Sequence, residues 1–264
     1  MADNNAYARV QAARDGKRPM GGYYIEHMID GFIELHGDRK FKDDKAIVGG
    51  IGFLSGIPVT VIAMERGDNI TERMQRHFGC PAPEGYRKAL RLMKEAEKFK
   101  RPVICFIGSS GAYCGIDAEE RGQGQAIADN LMEMMTLKTP IIAVVAGEGG
   151  SGGALALSVA DKIVMLENAV YSVISPEGCA SILWKDAKMA PEASAALKLT
   201  AQDLYNFNIA DKIIKESGLS YEQVSDKLKD VLVNYLKELT AVSDYERCEN
   251  RYGKFRKIGT ERLA

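Results

Sequence analysis

The sequence holds 264 residues, with 35 Lys and Arg against 36 Asp and Glu, and a formal net charge of −1 excludes the basic tail of a typical nucleic-acid binder. Apolar residues make up 46% and charged residues 27%, proportions that exclude disorder as the dominant state. At this length folding buries roughly 70–75% of the surface an unfolded chain exposes, so the core needs neither disulfide nor metal as a staple.

The five cysteines, Cys80, Cys105, Cys114, Cys179 and Cys248, are scattered and contain no CxxC pair, which fits a reducing cytoplasm. The N-terminus lacks a basic-then-apolar leader, and no apolar run approaches the ~18 residues that cross a bilayer. The expected setting is cytoplasmic, with neither membrane nor nucleic acid as a partner. Glycine accounts for 26 of the 264 residues, above the usual ~7%, and the excess is concentrated in a few stretches.

In chain order, residues 1–40 read as helical, with Ile25, Met28, Ile29, Phe32 and Leu35 on one helical face until His36-Gly37-Asp38 breaks the pattern. Residues 46–54 and 58–65 are β-rich and separated by Ser55-Gly56, which predicts an antiparallel pair joined by a tight turn. Residues 66–80 read as a polar surface loop. Pro81-Ala82-Pro83 then starts a helix whose Ala89, Leu92, Met93, Ala96 and Phe99 share a stripe. Two similar units follow: a strand at 103–107, a loop at 108–115 and a helix at 118–137, then a strand at 141–146, a glycine loop at 147–153 and a buried helix at 154–160. Further strands are expected at 162–166 and 169–173, and a helix starting at Ser175-Pro176-Glu177. The tail from Pro191 reads as mostly helical. Strands alternating with helical crossovers predict the α/β class, with a largely parallel sheet buried on both faces.

The loop Gly147-Glu148-Gly149-Gly150-Ser151-Gly152 spells G-x-G-x-x-G after a strand, with Glu167 near the place of a ribose-binding acid. The long segment before it and the short helix after it weigh against a dinucleotide site. Gly149-x-Ser151-x-Gly153 also spells a hydrolase nucleophile elbow, but His27, His36 and His77 all precede Ser151, so the usual triad order is missing. These histidines have no HExxH spacing, which favours ordinary surface or locally bonded roles over a metal site. What remains is main chain: a glycine-rich strand end exposes amide N–H groups at the positive end of a helix, and such a place holds an oxyanion. One amide from the end of the 103–107 strand and one from the Gly152-Gly153 helix start could converge on a single oxygen, polarising a thioester carbonyl or a urea.

Three stretches, Pro81-Ala82-Pro83-Glu84-Gly85-Tyr86-Arg87-Lys88-Ala89-Leu90, residues 147–153 and Ser175-Pro176-Glu177-Gly178-Cys179-Ala180-Ser181-Ile182-Leu183-Trp184-Lys185, closely resemble the carboxyltransferase α subunit of bacterial acetyl-CoA carboxylase. The resemblance runs from Asp38-Arg39 and Asp43-Asp44-Lys45-Ala46-Ile47-Val48-Gly49-Gly50 to about Lys215, and Arg251-Tyr252 resembles the family's C-terminal end. It implies the crotonase superfamily: an α/β, crotonase-like spiral of ββα units with N-terminal and C-terminal helices. Residues 1–40 would be an N-terminal helical segment and 41–264 the carboxyltransferase domain with its C-terminal helices.

The resemblance further implies transfer of a carboxyl group from carboxybiotin, held on a separate biotin carboxyl carrier protein, to acetyl-CoA, giving malonyl-CoA for fatty acid synthesis. This chain would supply the biotin side through backbone amides of Gly149 and Gly150, or of Gly152 and Gly153, with Gly111, Ala112 and Tyr113 binding substrate. A β subunit bearing a zinc ribbon would supply most acetyl-CoA contacts in an α2β2 assembly, and this chain would bind no metal and act only with that partner. Arg87, Lys88 and Arg91 are candidates for CoA phosphates, though a solvated helix face is the more ordinary reading. A self-contained hydratase of the superfamily would place an acidic base just after the glycines, where Ala154, Leu155, Ala156 and Leu157 stand instead. Glu148, the acid within the loop, is expected to bond backbone rather than move protons.

The sequence departs from the family where Gly108-Ser109-Ser110-Gly111-Ala112-Tyr113-Cys114-Gly115 replaces Asp-Thr-Pro-Gly-Ala-Tyr-Pro-Gly. Loss of two prolines and an aspartate predicts a looser loop, and with it either slower catalysis or, as the alternative function, a paralogue acting on another acyl-CoA or acyl acceptor. By the same resemblance the sequence begins after much of the family's N-terminal helical extension. A dinucleotide enzyme and a weakened subunit kept for assembly are the competing functional classes.

Overall fold

The computed structural model describes residues 5–260. The chain opens with α1 (Asn5–Arg14) and α2 (Gly21–Met28), then leaves the helical pattern for an edge strand, β1 (Ile29–Glu34). The helix expected through residue 40 therefore stops at Met28. Ile29 pairs with Leu54 and Glu34 with Gly50 of β2 (Ile47–Leu54), so the apolar residues that looked helical to Leu35 serve a strand beyond that point. The expected hairpin forms: β2 and β3 (Ile57–Met64) are antiparallel from Ile47↔Met64 to Leu54↔Ile57.

Between β3 and the next major helix, the segment read as a loop contains α3 (Ile70–Gln75), whose N-cap Asn69 accepts from Glu72 N, and a 3-10 turn at His77–Gly79. Pro83 then opens α4 (Pro83–Lys98) as predicted. Tyr86, Ala89, Leu92, Met93 and Ala96 are buried, but Phe99 has left the stripe and is 60% exposed at the helix end.

The strand β4 (Val103–Ser109) is followed not by one helix but by α5 (Ile116–Glu120) and α6 (Gln123–Thr136), with a break at Arg121-Gly122. Next come β5 (Ile141–Gly150), a short α7 (Ser151–Leu155), β6 (Lys162–Leu166) and β7 (Val170–Ser172). After α8 (Pro176–Trp184), α9 (Ala190–Leu197) and α10 (Ala201–Asn206), a strand that the helical reading of the tail missed, β8 (Lys212–Ile214), joins the sheet. Two long helices, α11 (Tyr221–Ala241) and α12 (Asp244–Lys257), close the chain. The eight-stranded sheet has the order β1-β2-β3-β4-β5-β6-β8, with β7 paired to the far end of β5. All pairings from β3 onward are parallel. The residues of β4 are all buried and those of β5 are buried up to Gly147, as a sheet covered on both faces requires.

Charged side chains bolt the helices to this sheet. Lys88 of α4 is fully buried, donating to Asp43 Oδ1 at 2.7 Å and to the Asp44 carbonyl at 2.9 Å. Arg87 donates to Asp38 at 2.7 Å, and Arg91 reaches Glu95 and the Gly37 carbonyl. The three cations considered for phosphate are thus spent on folding, and Lys88 is not on a solvated face at all. Burial works against ionisation of Asp38, but N–H groups of Phe41 and Lys40 and the Arg87 guanidinium outweigh it and lower the pKa; for Asp43, Lys88 and Gly37 N do the same.

At the other end of the sheet one device appears twice. Asp161, just before β6, accepts from Ile141 N of β5 at 2.8 Å, and Asp211, just before β8, accepts from Ile163 N of β6 at 2.6 Å. Two cations one turn apart on α12 neutralise them. Arg251, fully buried, grips Asp161 through Nε (2.8 Å) and Nη2 (2.9 Å), while Lys254 pairs with Asp211. Arg251 also donates to the carbonyls of Met134, Leu137 and Thr139, satisfying acceptors left open at the C-terminus of α6.

Two stability measurements test this bracing. Arg251→Ala leaves Asp161 buried without its cation and should cost about 3–5 kcal/mol in denaturant unfolding; Arg251→Lys, which keeps charge but cannot span the carbonyls, should recover only part. The lowered pKa values of Asp38 and Asp43 stabilise the fold above the ordinary aspartate range, and that contribution is lost as pH falls through their folded values, below about pH 4. Asp44, whose pKa burial raises, acts in the opposite sense. Asp38→Asn should flatten the acid limb of a melting-temperature profile against pH.

Candidate functional site

The glycine stretch is not a loop. Gly147, Glu148, Gly149 and Gly150 continue β5, where Gly149 pairs with Ser109 of β4 on one side and Tyr171 of β7 on the other, and Gly150 pairs with Ser172. The chain then turns at Ser151, which holds φ of +52°, a left-handed conformation that costs a non-glycine residue about 1–3 kcal/mol. The helix that follows is five residues long, not the seven expected, and no side chain caps its N-terminus. Its first N–H groups point back toward the strand end without intrahelical partners.

Against this corner lies the loop after β4. A Cβ on Gly150 would sit 2.0 Å from the Ser110 carbonyl oxygen, and one on Gly153 would sit 2.5 Å from Ala112 N and 2.9 Å from Tyr86 Oη. Main chain touches main chain at both positions. By contrast, a Cβ on Gly152 would make only an ordinary 3.7 Å contact with Ile127. The structure thus brings Gly111 and Ala112 against Gly150 and Gly153. Gly152 is half-exposed on α7, and Tyr113 faces away to stack on His77, with ring centroids 4.2 Å apart.

Several bonds fix the loop in the absence of the family's prolines. Ser109 Oγ donates to the Gly111 carbonyl at 2.7 Å and accepts from Gly111 N at 3.1 Å; Tyr113 N donates to the Pro81 carbonyl at 3.0 Å; Gln123 Nε2 spans the carbonyls of Pro81 and Tyr113. Ser110 Oγ lies 3.5 Å from Cys80 Sγ. Side-chain ties therefore offset the loosening expected from the sequence. Tyr86, whose phenol burial keeps protonated, donates to the Gly153 carbonyl at 3.2 Å and steadies the first turn of α7. The sequence reading passed over Tyr86, although it stands within a motif carrying the family resemblance. Among the described residues the Ala112 N–H makes no hydrogen bond.

A cavity of about 250 Å³ opens beside this contact, lined by Gly149, Gly150, Ser151, Ser110, Glu148 and the stretch from Ser172 to Pro176. Gly152 and Gly153 do not line it. Glu148 is held by Arg14, whose Nη2 lies 2.7 Å and Nε 3.0 Å from Oε1, and the same arginine reaches Glu177 of α8 at 2.8 Å. The acid of the glycine stretch bonds a guanidinium rather than backbone amides, and a carboxylate so engaged is a strut, not a poised base. The pKa of Arg14 is raised, chiefly by its bond to Glu148.

The other sequence candidates lie apart from this corner. Glu167 accepts from Glu216 N at 2.8 Å and Ser217 N at 2.9 Å, a structural bond that leaves no ribose-binding role, and the five-residue α7 is not the long helix of a dinucleotide fold. His27 bonds the Tyr23 carbonyl, and His36 pairs with Asp43 at 3.0 Å. Among the described residues no histidine bonds Ser151, and no group of three His, Cys, Asp or Glu side chains is arranged to hold a metal ion.

Comparison with known proteins agrees with these features. The family described as acetyl co-enzyme A carboxylase carboxyltransferase-like matches residues 2–259. The chain is 57% identical over 261 residues to the acetyl-coenzyme A carboxylase carboxyl transferase subunit alpha of Clostridium botulinum strain Eklund 17B, covering 97% of this chain and 95% of that one. It is 53% identical over 265 residues to a Clostridium tetani protein named for subunits beta/alpha together, covering 97% of this chain and 45% of the relative. Among solved structures, transcarboxylase 12S superimposes with a TM-score of 0.70 at 18% identity, over 89% of this chain and 45% of that one. This chain spans less than half of that protein, and the likeness establishes the crotonase-like α/β fold expected from the sequence.

The steric map yields a stability series. Gly150→Ala and Gly153→Ala force a methyl into neighbouring main chain and should each cost about 1–3 kcal/mol or more, whereas Gly152→Ala should melt within a degree or two of the parent. Differential scanning calorimetry of the three variants checks the order.

Proposed function

The chain belongs to the α-subunit family of acetyl-CoA carboxylase carboxyltransferases, and on that premise we propose that the glycine-lined cavity receives the carboxybiotin end of a carrier protein. When bound, carboxybiotin supplies the carboxyl group, and its ureido system takes up negative charge and the α-proton of the acyl acceptor. The chain's own part is to steady that charge with N–H donors. The observation that carries this reading is the unbonded Ala112 N–H pressed against the uncapped start of α7, beside a cavity of about 250 Å³.

Of the two glycine pairs considered, Gly149 and Gly150 line the cavity but the strand ladder engages Gly149 on both sides, so the donors are assigned to the helix-start amides of Gly152 and Gly153, directly behind Ser151 of the cavity wall. Gly149 and Gly150 then form the floor, where the absence of a side chain at Gly150 lets the Ser110 carbonyl close against it. Gly111 and Ala112 supply the opposite donor, and Tyr113 anchors their loop through its backbone bond to Pro81. Each donor aimed at the developing oxyanion is worth about 2.7–4 kcal/mol of barrier.

The rest of the reaction is assigned to partners. Acetyl-CoA would be held largely by a β subunit carrying a zinc ribbon, biotin by its carboxyl carrier protein, and the product would be malonyl-CoA. The relative from Clostridium tetani, named for both subunits in one chain, supports pairing with a β subunit, and α2β2 is the assembly proposed. Residues 41–264 are proposed as the carboxyltransferase domain with its C-terminal helices; of the N-terminal segment 1–40, expected to be helical, α2 and β1 belong to the same core and sheet. A cytoplasmic setting fits: no helix among the described residues is long and apolar enough to cross a membrane.

The test is malonyl-CoA formation by the chain mixed with a β subunit, carboxylated carrier and acetyl-CoA. Turnover should require both subunits. Val173, 76% exposed at the cavity mouth, gives the site-specific control: Val173→Trp fills the entrance without touching the core. It should lower kcat/KM roughly tenfold or more with unchanged melting and unchanged assembly by gel filtration. Parent-like turnover in this variant would show that the ligand enters elsewhere.

A further inference from the structure

Three of the four serines around the cavity are already committed. Ser172 Oγ donates to the Ile174 carbonyl at 2.8 Å, Ser175 Oγ accepts from Gly178 N at 3.1 Å as the N-cap of α8, and Ser110 Oγ lies 3.5 Å from Cys80 Sγ. Ser151 is the exception: it is exposed on the cavity wall, and among the described residues its hydroxyl has no hydrogen-bond partner.

Its backbone makes that idleness informative. Ser151 stands between Gly150 and Gly152 and holds φ of +52°, a region that glycine enters freely and a residue with a Cβ does not. A glycine would fit the turn with less strain, and the packing that demands glycine at Gly150 and Gly153 shows what steric selection looks like in this stretch. A side chain that stands against conformational preference, with no bond within the protein and a cavity in front of it, is open to a partner from outside.

We propose that Ser151 is a catalytic residue whose hydroxyl donates a hydrogen bond to the ureido oxygen of the carboxybiotin substrate, adding a side-chain donor to the backbone amides. The inference rests on the carboxyltransferase reading of the cavity. The left-handed turn places Ser151 on the cavity wall at the corner where β5 ends and α7 begins. The group needs no activation and forms no covalent bond; it is a neutral donor, and the proton stays on Oγ throughout.

Two substitutions separate this role from a structural one. Ser151→Ala removes the hydroxyl and keeps the backbone cost; Ser151→Gly removes both and is the variant least able to disturb folding. In the complex with a β subunit, both should lower carboxyl transfer roughly 10²-fold, while Ser151→Ala melts with the parent and Ser151→Gly melts no lower. Calorimetric titration of the complex with free biotin should show weaker binding by both variants. Transfer within twofold of the parent in either variant, or unchanged biotin affinity in both, overturns the proposal. A parent complex that binds biotin but forms no malonyl-CoA would count against acetyl-CoA carboxylation instead, and the biotin titration would still decide the role of Ser151.

Discussion

Everything at the candidate site depends on one contact in which two stretches of main chain meet with no side chain between them. The end of β5 and the first turn of α7 lie directly against the loop after β4, so close that a single methyl at Gly150 or Gly153 would overlap backbone atoms. Side chains can rotate out of a crowded place, but peptide groups on a parallel sheet cannot. The contact therefore fixes the relative positions of the Ala112 N–H and the start of α7 to within the tolerance of the sheet itself. Electrostatic stabilisation of a transient charge is efficient when donors need no reorganisation as the charge develops, and a site in which peptide groups pack directly against peptide groups meets that condition.

The charged side chains nearby are used to hold this geometry. Arg14 straddles Glu148 at the strand end and Glu177 at the start of α8, linking both walls of the cavity to the N-terminal helix. Arg87, Lys88 and Arg91 are all spent on the segment that leads into β2. Arg251 and Lys254 seal the opposite ends of the strands. An ionised group committed to a buried partner is poorly placed to move protons, so the chemistry left to this chain is that of hydrogen-bond donors rather than acids and bases. That division suits the carboxyl transfer proposed for the cavity.

Much of this was legible in the sequence because the relevant signals are local. Alternating apolar runs around Ser55-Gly56 marked the hairpin, Pro83 marked the start of α4, and Ser175-Pro176 marked α8. The glycine content of residues 147–153 marked the corner where β5 meets α7. Readings failed where a long-range partner overrode local periodicity. Ile29 to Leu35 keeps a helical spacing, yet pairing with β2 draws the first six of those residues into an edge strand. Gly147 to Gly150 looked like a loop because glycine is a poor strand former, but β4 and β7 on either side supply the ladder. β8 was missed although its approach, Ala210-Asp211-Lys212-Ile213, repeats Ala160-Asp161-Lys162-Ile163 before β6; the aspartate in each caps the neighbouring strand. The charges on α4 were misjudged because nothing in a single helix reveals that acids at residues 38–44 will fold onto it.

The short α7 has its own logic. A longer helix after the glycines would carry its axis deep into the core and bring a side chain from its second turn toward the donors, the arrangement that places an acidic base in a self-contained enzyme. Here the helix ends at Leu155, and Ala154, Ala156 and Leu157 are buried in the core, so the wall facing the cavity presents peptide groups and the Ser151 hydroxyl. A wall of this kind offers hydrogen-bond donors rather than acids and bases to what it receives, which suits a chain whose relatives are named as one subunit of a carboxylase.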